Sequence, residues 1–232
     1  MIWIATATPW EANPLAKGLG LSRTASRRHH GNIGQAEVAL FELGIGGEKA
    51  RASLDSAAAD LPPPQWLIHT GFAGAVQPGL GCGTIVVDVW GLDSEVREKT
   101  KEIASALGTP FQFGRIVSSE RVLRTREEKA AFGSSRRAVA VDTENETSQA
   151  WASEKGISFI ATKSILDDLE QPLLPEAPIE DTPIEVLRYL ASHWAELGML
   201  TRLWFLRKKA LNSLVRFLRA TVPEISALST HP

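Results

Sequence analysis

The chain has 232 residues, with 25 Lys and Arg against 27 Asp and Glu, a net charge of −2 and 44% hydrophobic residues. This is the balance of an ordinary globular protein, with no surplus of positive charge to hold nucleic acid. A single cysteine, Cys82, excludes an internal disulfide framework and leaves no cysteine cluster for zinc.

The amino-terminal run through Trp10 has no basic leader and too short an apolar stretch for a signal peptide. No segment approaches the roughly 20 apolar residues of a bilayer span, so a cytoplasmic location is expected. Ile2–Ala7 reads as a strand. Thr8–Pro9 then opens a helix, with Thr8 and Glu11 at capping-box spacing. Ala36–Leu43 is a second strand, and Gly44–Gly47 leads into an amphipathic helix over Glu48–Leu61. Trp66–His69 and Thr84–Val89 are strands flanking a glycine-rich turn region, His69–Ala75. Glu95–Leu107 is helical and Phe111–Ser118 returns as a strand. Ala138–Val141 and Ile157–Thr162 are further strands, separated by a helix starting near Thr143. Pro172–Pro183 reads as a linker, followed by helices over Ile184–Leu197 and Met199–Thr221.

This alternation predicts an α/β fold: one three-layer domain whose mixed, mostly parallel central sheet is flanked by helices. Residues 1–172 would form the α/β domain, and 173–232 a linker and carboxyl-terminal helices packing on it.

The common catalytic motifs are absent: no GxxxxGK[ST] phosphate loop, no GxSxG elbow, no HExxH zinc pair. Three acids stand out because each follows an apolar strand, where ligands bind in open α/β sheets. They are Glu11, Glu144 and Asp167. Each also has a structural reading. Glu11 could only complete its capping box, Thr143 with Glu146 has the same spacing around Glu144, and Asp167 with Asp168 could form a solvated turn.

The order of segments resembles the purine nucleoside phosphorylases and methylthioadenosine/adenosylhomocysteine nucleosidases. Gly44–Ala50 looks like the GIGxxxA segment of that superfamily. Ile68–Ala75 followed by Gly83–Val87 is similar to its NTGxAGG…GDIVV segment. Val141–Glu144 stands in the place of V(E/D)ME, and Lys163–Asp167 in that of RxISD. The resemblance implies cleavage of a purine nucleoside at its N-glycosidic bond, without a metal or cofactor, by a homodimer or larger assembly. It implies that Asp167 is the general acid at the base, that Glu11 activates water, and that Glu144 holds ribose hydroxyls. Asp142 and Thr143, the backbone of Thr70, Gly71, Phe72 and Ala73, and Val122 beside the base would complete the substrate site.

The sequence departs from the pattern at Thr143 for a methionine, Leu166 for a serine, Lys163 for an arginine, and Phe72 for a small residue. No GDPxR-like phosphate segment is present. The basic cluster of Arg23, Arg27, Arg28, His29 and His30 reads as a solvated loop, so water is favoured over phosphate as nucleophile; phosphorolysis, with phosphate as co-substrate, and binding without turnover stay open. In the tail, Leu200, Leu203, Trp204, Leu211, Leu214, Val215 and Leu218 recur at helical spacing among basic residues. This face either packs on the domain or a sister subunit, or makes residues 200–221 a peripheral membrane contact. Arg121–Lys129 and this basic helix look like the hopanoid-associated branch of the superfamily, which implies a lipid-bearing nucleoside as substrate; futalosine-type and methylthioadenosine-type nucleosides stay open beside it.

Overall fold

Ile2–Thr6 (β1) is buried at every position, as a strand covered on both faces must be. In this computed structural model, which describes residues 1–88, 94–170 and 197–228, β1 lies between β4 (Ala36–Glu42) and β5 (Trp66–Ala75), parallel to both. β10 (Ser158–Asp167) continues the parallel set along the far side of β5. These four strands are the spine of a ten-stranded sheet. Antiparallel pieces extend it. β2 (Ser22–Ala25) and β3 (Arg28–Ile33) form a hairpin on β4. β6 (Ile85–Val87) pairs antiparallel with β10 and carries β7 (Phe111–Phe113). β9 (Ala140–Asp142) meets the carboxyl end of β5, with β8 (Ile116–Ser118) beside it.

The two-residue period of a strand divides the core into layers. Ile2 and Ile4 of β1 face α1 (Pro9–Leu19), α3 (Ser94–Leu107) and the last helix, α6 (Leu197–Ala227). Trp3 and Ala5 face α2 (Gly47–Asp60) and α5 (Asn145–Glu154), where Trp3 stacks on Trp151. α4 (Arg126–Arg136) covers the β8–β9 end, its Gly133 so close to Val76 that a Cβ would lie 2.6 Å from the Val76 carbonyl oxygen. The expected three-layer α/β architecture is what the chain adopts.

Four local expectations are corrected. His69–Ala75 is not a turn: β5 runs straight through it, because β10 and β9 supply ladder partners for those residues. Phe111–Ser118 is not one strand but two, parted at Gly114, which β7 and β8 leave toward different neighbours. The basic segment 23–30 is not a loop but the β2–β3 hairpin, turned by Arg27 at φ +62°. The tail helix is longer than expected at both ends, and its 210–225 face belongs to the core through Leu214, Phe217, Leu218, Val222 and Ile225. At about 1.5–3 kcal/mol for each buried side chain, α6 is an integral layer rather than an appendage. The expected linker over 172–183 and helix over 184–197 lie outside the described residues. No helix among those described is long and apolar enough to cross a membrane.

Candidate active site

The four parallel strands end on one side of the sheet, and the three singled-out acids gather there. Thr8 is extended and Pro9 takes the first helical position, so α1 begins directly after β1. The Thr8 backbone N–H donates to Glu11 Oε2 at 3.0 Å, which is the capping interaction. The other carboxylate oxygen does something a cap does not require. Glu11 Oε1 accepts from the Phe72 backbone N–H at 2.7 Å, across to β5. Gly71 makes room for it: a Cβ there would stand 2.4 Å from Oε1, and its φ of +131° suits only glycine. Glu11 is therefore both a helix cap and a buried bridge from α1 to β5.

Asp167 is placed by a bulge. β10 and β5 keep register to Ile165 and Ala73, but Asp167 then pairs with Gly74, leaving Leu166 as the extra residue. A one-residue slip reverses faces. Ile165 and Ala73 point into an apolar cluster, whereas Asp167 lies over Gly74, 3.2 Å from where a Cβ would be. The two glycines of β5 thus seat two carboxylates. Asp167 Oδ2 also accepts a hydrogen bond from the ammonium of Lys129, which is itself buried on α4 and donates a second bond to the Asp168 carbonyl at 2.9 Å. Burial raises the Asp167 carboxyl above the ordinary aspartate value, against the opposing pull of the Lys129 charge.

Glu144 is buried just ahead of α5. Its Oε1 accepts from the Gly46 N–H at 2.8 Å and from the Thr143 hydroxyl. Thr143, where the resembled pattern has an apolar residue, is thereby tied to the acid it precedes. Burial, reinforced by the neighbouring Asp142 charge, pushes the Glu144 carboxyl up to about 7.

Asp142, expected to touch substrate, faces inward instead. Its Oδ1 accepts from the Ser118 hydroxyl at 3.0 Å and from the Glu144 and Asn145 N–H groups at 3.3 and 3.0 Å, so Asp142, not Thr143, caps α5. Glu146 is likewise drawn away from any capping box, to Arg136 at 2.9 Å. Asp142 Oδ2 forms an ion pair with Lys163 Nζ at 2.9 Å. Burial opposes its charge, but Lys163 and the N–H donors hold the carboxyl below the usual aspartate value. Lys163 also reaches His69 Nε2 at 3.0 Å, and His69 Nδ1 meets Asn145 Oδ1 at 3.3 Å. With Nε2 accepting, the proton belongs on Nδ1. Burial and the Lys163 charge accordingly hold His69 down to about 3, neutral at any physiological pH. His69, Asp142 and Glu144 have the residue types of a metal site and lie within 4.8 Å of one another. The ammonium of Lys163, bonded to the first two, supplies the positive charge there.

The remaining expected residues fall around this centre in different ways. The Thr70 hydroxyl is committed to the Thr162 carbonyl at 2.7 Å. The Ala73 methyl packs in the apolar cluster, and Phe72 contributes its backbone N–H to Glu11. Val122 is half-buried in the 119–125 connection that delivers α4 and Lys129. Three residues escaped sequence reasoning: Lys129, His69 and Asn145. Lys129 sits in the charged run Arg126–Lys129, which looks like a solvated face, and only its partner on β10 gives it another meaning.

No protein-family model and no curated protein matches the sequence. Solved structures share its fold. A mutant futalosine hydrolase of Helicobacter pylori strain 26695 matches with TM-score 0.69 and 18% identity over 96% of this chain and 98% of that one. A mutant 5′-methylthioadenosine/S-adenosylhomocysteine nucleosidase of Helicobacter pylori, with 5′-methylthioadenosine in its active site, matches with TM-score 0.70 and 17% identity over 96% and 98%. A Borrelia burgdorferi B31 protein described as a putative nucleosidase of the same type, bound to adenine, matches with TM-score 0.71 and 16% identity over 97% and 100%. These similarities establish that the chain has the nucleosidase fold along nearly its whole length.

Proposed function

We propose that the protein hydrolyses the N-glycosidic bond of a purine, adenine-type nucleoside. The observation that carries this is the seating of Glu11 and Asp167 on two glycines of one strand, with Glu144 buried at the same end of the sheet. On this reading Asp167 protonates the departing base, whose anion is otherwise a poor leaving group. Glu144 takes hydrogen bonds from ribose hydroxyls and stabilises the positive charge that develops on the sugar. Glu11 orients water and takes its proton. The chemistry needs only these carboxylates and water, so neither metal nor cofactor enters it. The adenine and 5′-methylthioadenosine held by proteins of the same fold support the substrate class.

Phosphorolysis would need a phosphate site. Of the arginines in the β2–β3 hairpin, Arg27 is engaged with Glu42 at 2.9 Å and Arg28 with Asp60 at 3.1 Å. The test is release of free base from adenine nucleosides in phosphate-free buffer and in added phosphate. Release independent of phosphate is expected. Release only with phosphate would make the protein a phosphorylase, and tight binding without release a nucleoside-binding protein.

Trp204 and Phe205 on α6 are 53% and 59% exposed and stacked edge to face, with the Lys208 ammonium 5.4 Å from the Trp204 ring centre. The apolar face from Leu211 onward is taken up by the core, but the aromatic and cationic groups of 204–208 together suit peripheral contact with an anionic membrane, and a lipid-bearing nucleoside as substrate. Co-sedimentation with phosphatidylglycerol vesicles that is lost in Trp204→Ser/Phe205→Ser is the expected result. A homodimer dispersed by the same double substitution, with no vesicle binding, would assign the patch to a second copy of the chain instead.

A further inference from the structure

Lys129 is a lysine with no exposed surface to speak of, its side chain 1% accessible, in a helix whose other charges are solvated. Taking an ammonium out of water costs several kcal/mol unless it is paired and hydrogen-bonded. Here the partners are the Asp167 carboxylate and the Asp168 carbonyl. The arrangement is built from three pieces of chain. The Thr125–Glu128 capping box fixes the start of α4 at Arg126, three residues before Lys129. The absence of a side chain at Gly133 lets α4 press against Val76. The bulge at Leu166 turns Asp167 to the same side.

A buried acid that gives up its proton leaves a buried negative charge. Without a counter-charge, that charge raises the barrier to proton donation; with one already in place, no reorganisation is needed as the charge forms. We propose that Lys129 is a positioning residue for the cleavage step: it fixes Asp167 through Oδ2 and is the counter-charge for the carboxylate formed when Asp167 protonates the base. The inference rests on the nucleosidase reading. In the step, the Asp167 O–H bond breaks and an N–H bond forms on the purine ring. The electron pair of the bond between the sugar's anomeric carbon and the base goes to the base. Water adds to the sugar and loses its proton to Glu11. Asp167 stays paired with the Lys129 ammonium until solvent returns a proton to it, and Glu11 releases to solvent the proton that it took from water. Lys129 remains charged throughout and touches neither substrate nor water.

A counter-charge to the acid matters only when the leaving group needs a proton. The test therefore compares two substrates: an adenine nucleoside, and 4-nitrophenyl β-D-riboside, whose phenolate leaves without protonation. In Lys129→Met, kcat/KM for the adenine nucleoside is expected to fall about 100-fold or more, the scale of general-acid assistance. The nitrophenyl riboside should stay within about threefold. Lys129→Arg, which keeps the charge, should recover most of the loss. Should Lys129→Met fail to fold, Lys129→Gln, which still donates a hydrogen bond but carries no charge, is read against the same two substrates. Equal loss on both substrates in a folded variant would reduce Lys129 to a packing role and overturn the proposal. So would an uncharged variant as active on the adenine nucleoside as the wild type. Wild-type protein that cleaves neither compound would instead overturn the nucleosidase reading.

Discussion

Glu144→Gln separates what burial does to the protein from what it does for the substrate. The carboxyl is buried, carries a neighbouring negative charge from Asp142, and has a pKa near 7 against the 4.5 of an unperturbed glutamate. Because the folded value is the higher one, the folded state binds the proton more tightly. Stability from this group is fully present below pH 4.5 and is lost as pH rises towards 7. The loss over that window is about 3 kcal/mol. Glutamine cannot ionise and keeps an oxygen for the Gly46 N–H, so the variant should escape the loss. In urea unfolding at pH 4.5 and pH 8, Glu144→Gln should be close to the wild type at the lower pH and more stable at the higher one by up to about 3 kcal/mol. Its cleavage activity should fall most above pH 7, where the wild-type carboxylate is ionised and an amide lacks the negative charge that stabilises the sugar cation. A stability difference that does not change with pH would refute the reasoning about burial.

Other perturbations test the supports of the site. A Cβ at Gly71 would stand 2.4 Å from Glu11 Oε1 and one at Gly74 would stand 3.2 Å from Asp167 Oδ2. Gly71→Ala should therefore cost about 100-fold in kcat/KM, as ångström-scale misplacement does, and Gly74→Ala clearly less; equal losses would contradict the seating argument. Lys163→Met strands the buried Asp142 charge and should lower stability by about 3–5 kcal/mol in urea titration. Asn145→Leu removes the partner of His69 and of the Ile116 carbonyl, which its amide reaches at 3.0 Å. It should cost about 1–3 kcal/mol.

The parallel spine was legible in the sequence because its strands are short, apolar runs separated by helical periods, and burial on both faces demands that composition. The glycine stretch of β5 was misread for an equally physical reason. Glycine ordinarily marks a turn, but at Gly71 and Gly74 it clears space for carboxylates that arrive from α1 and β10, a tertiary fact with no local signature. Glu11, Glu144 and Asp167 could be singled out because each follows a strand. Asp142 could not be told from its neighbours, since two positions along a turn decide whether a carboxylate faces the site or caps a helix. Lys163 left a trace, as a lone lysine among the uncharged residues of a buried strand must find a buried partner. Lys129 left none, because its charge is unremarkable within Arg126–Lys129 and its partner lies 38 residues away.

Hydrolytic cleavage at this site depends most on Asp167 as the acid. Chromatographic detection of free adenine from 5′-methylthioadenosine and from adenosines with longer 5′ groups, in phosphate-free buffer, compares the wild type with Asp167→Asn. Steady release by the wild type that drops about 100-fold or more in the variant is the predicted result. Wild-type release that survives the substitution unchanged would contradict it.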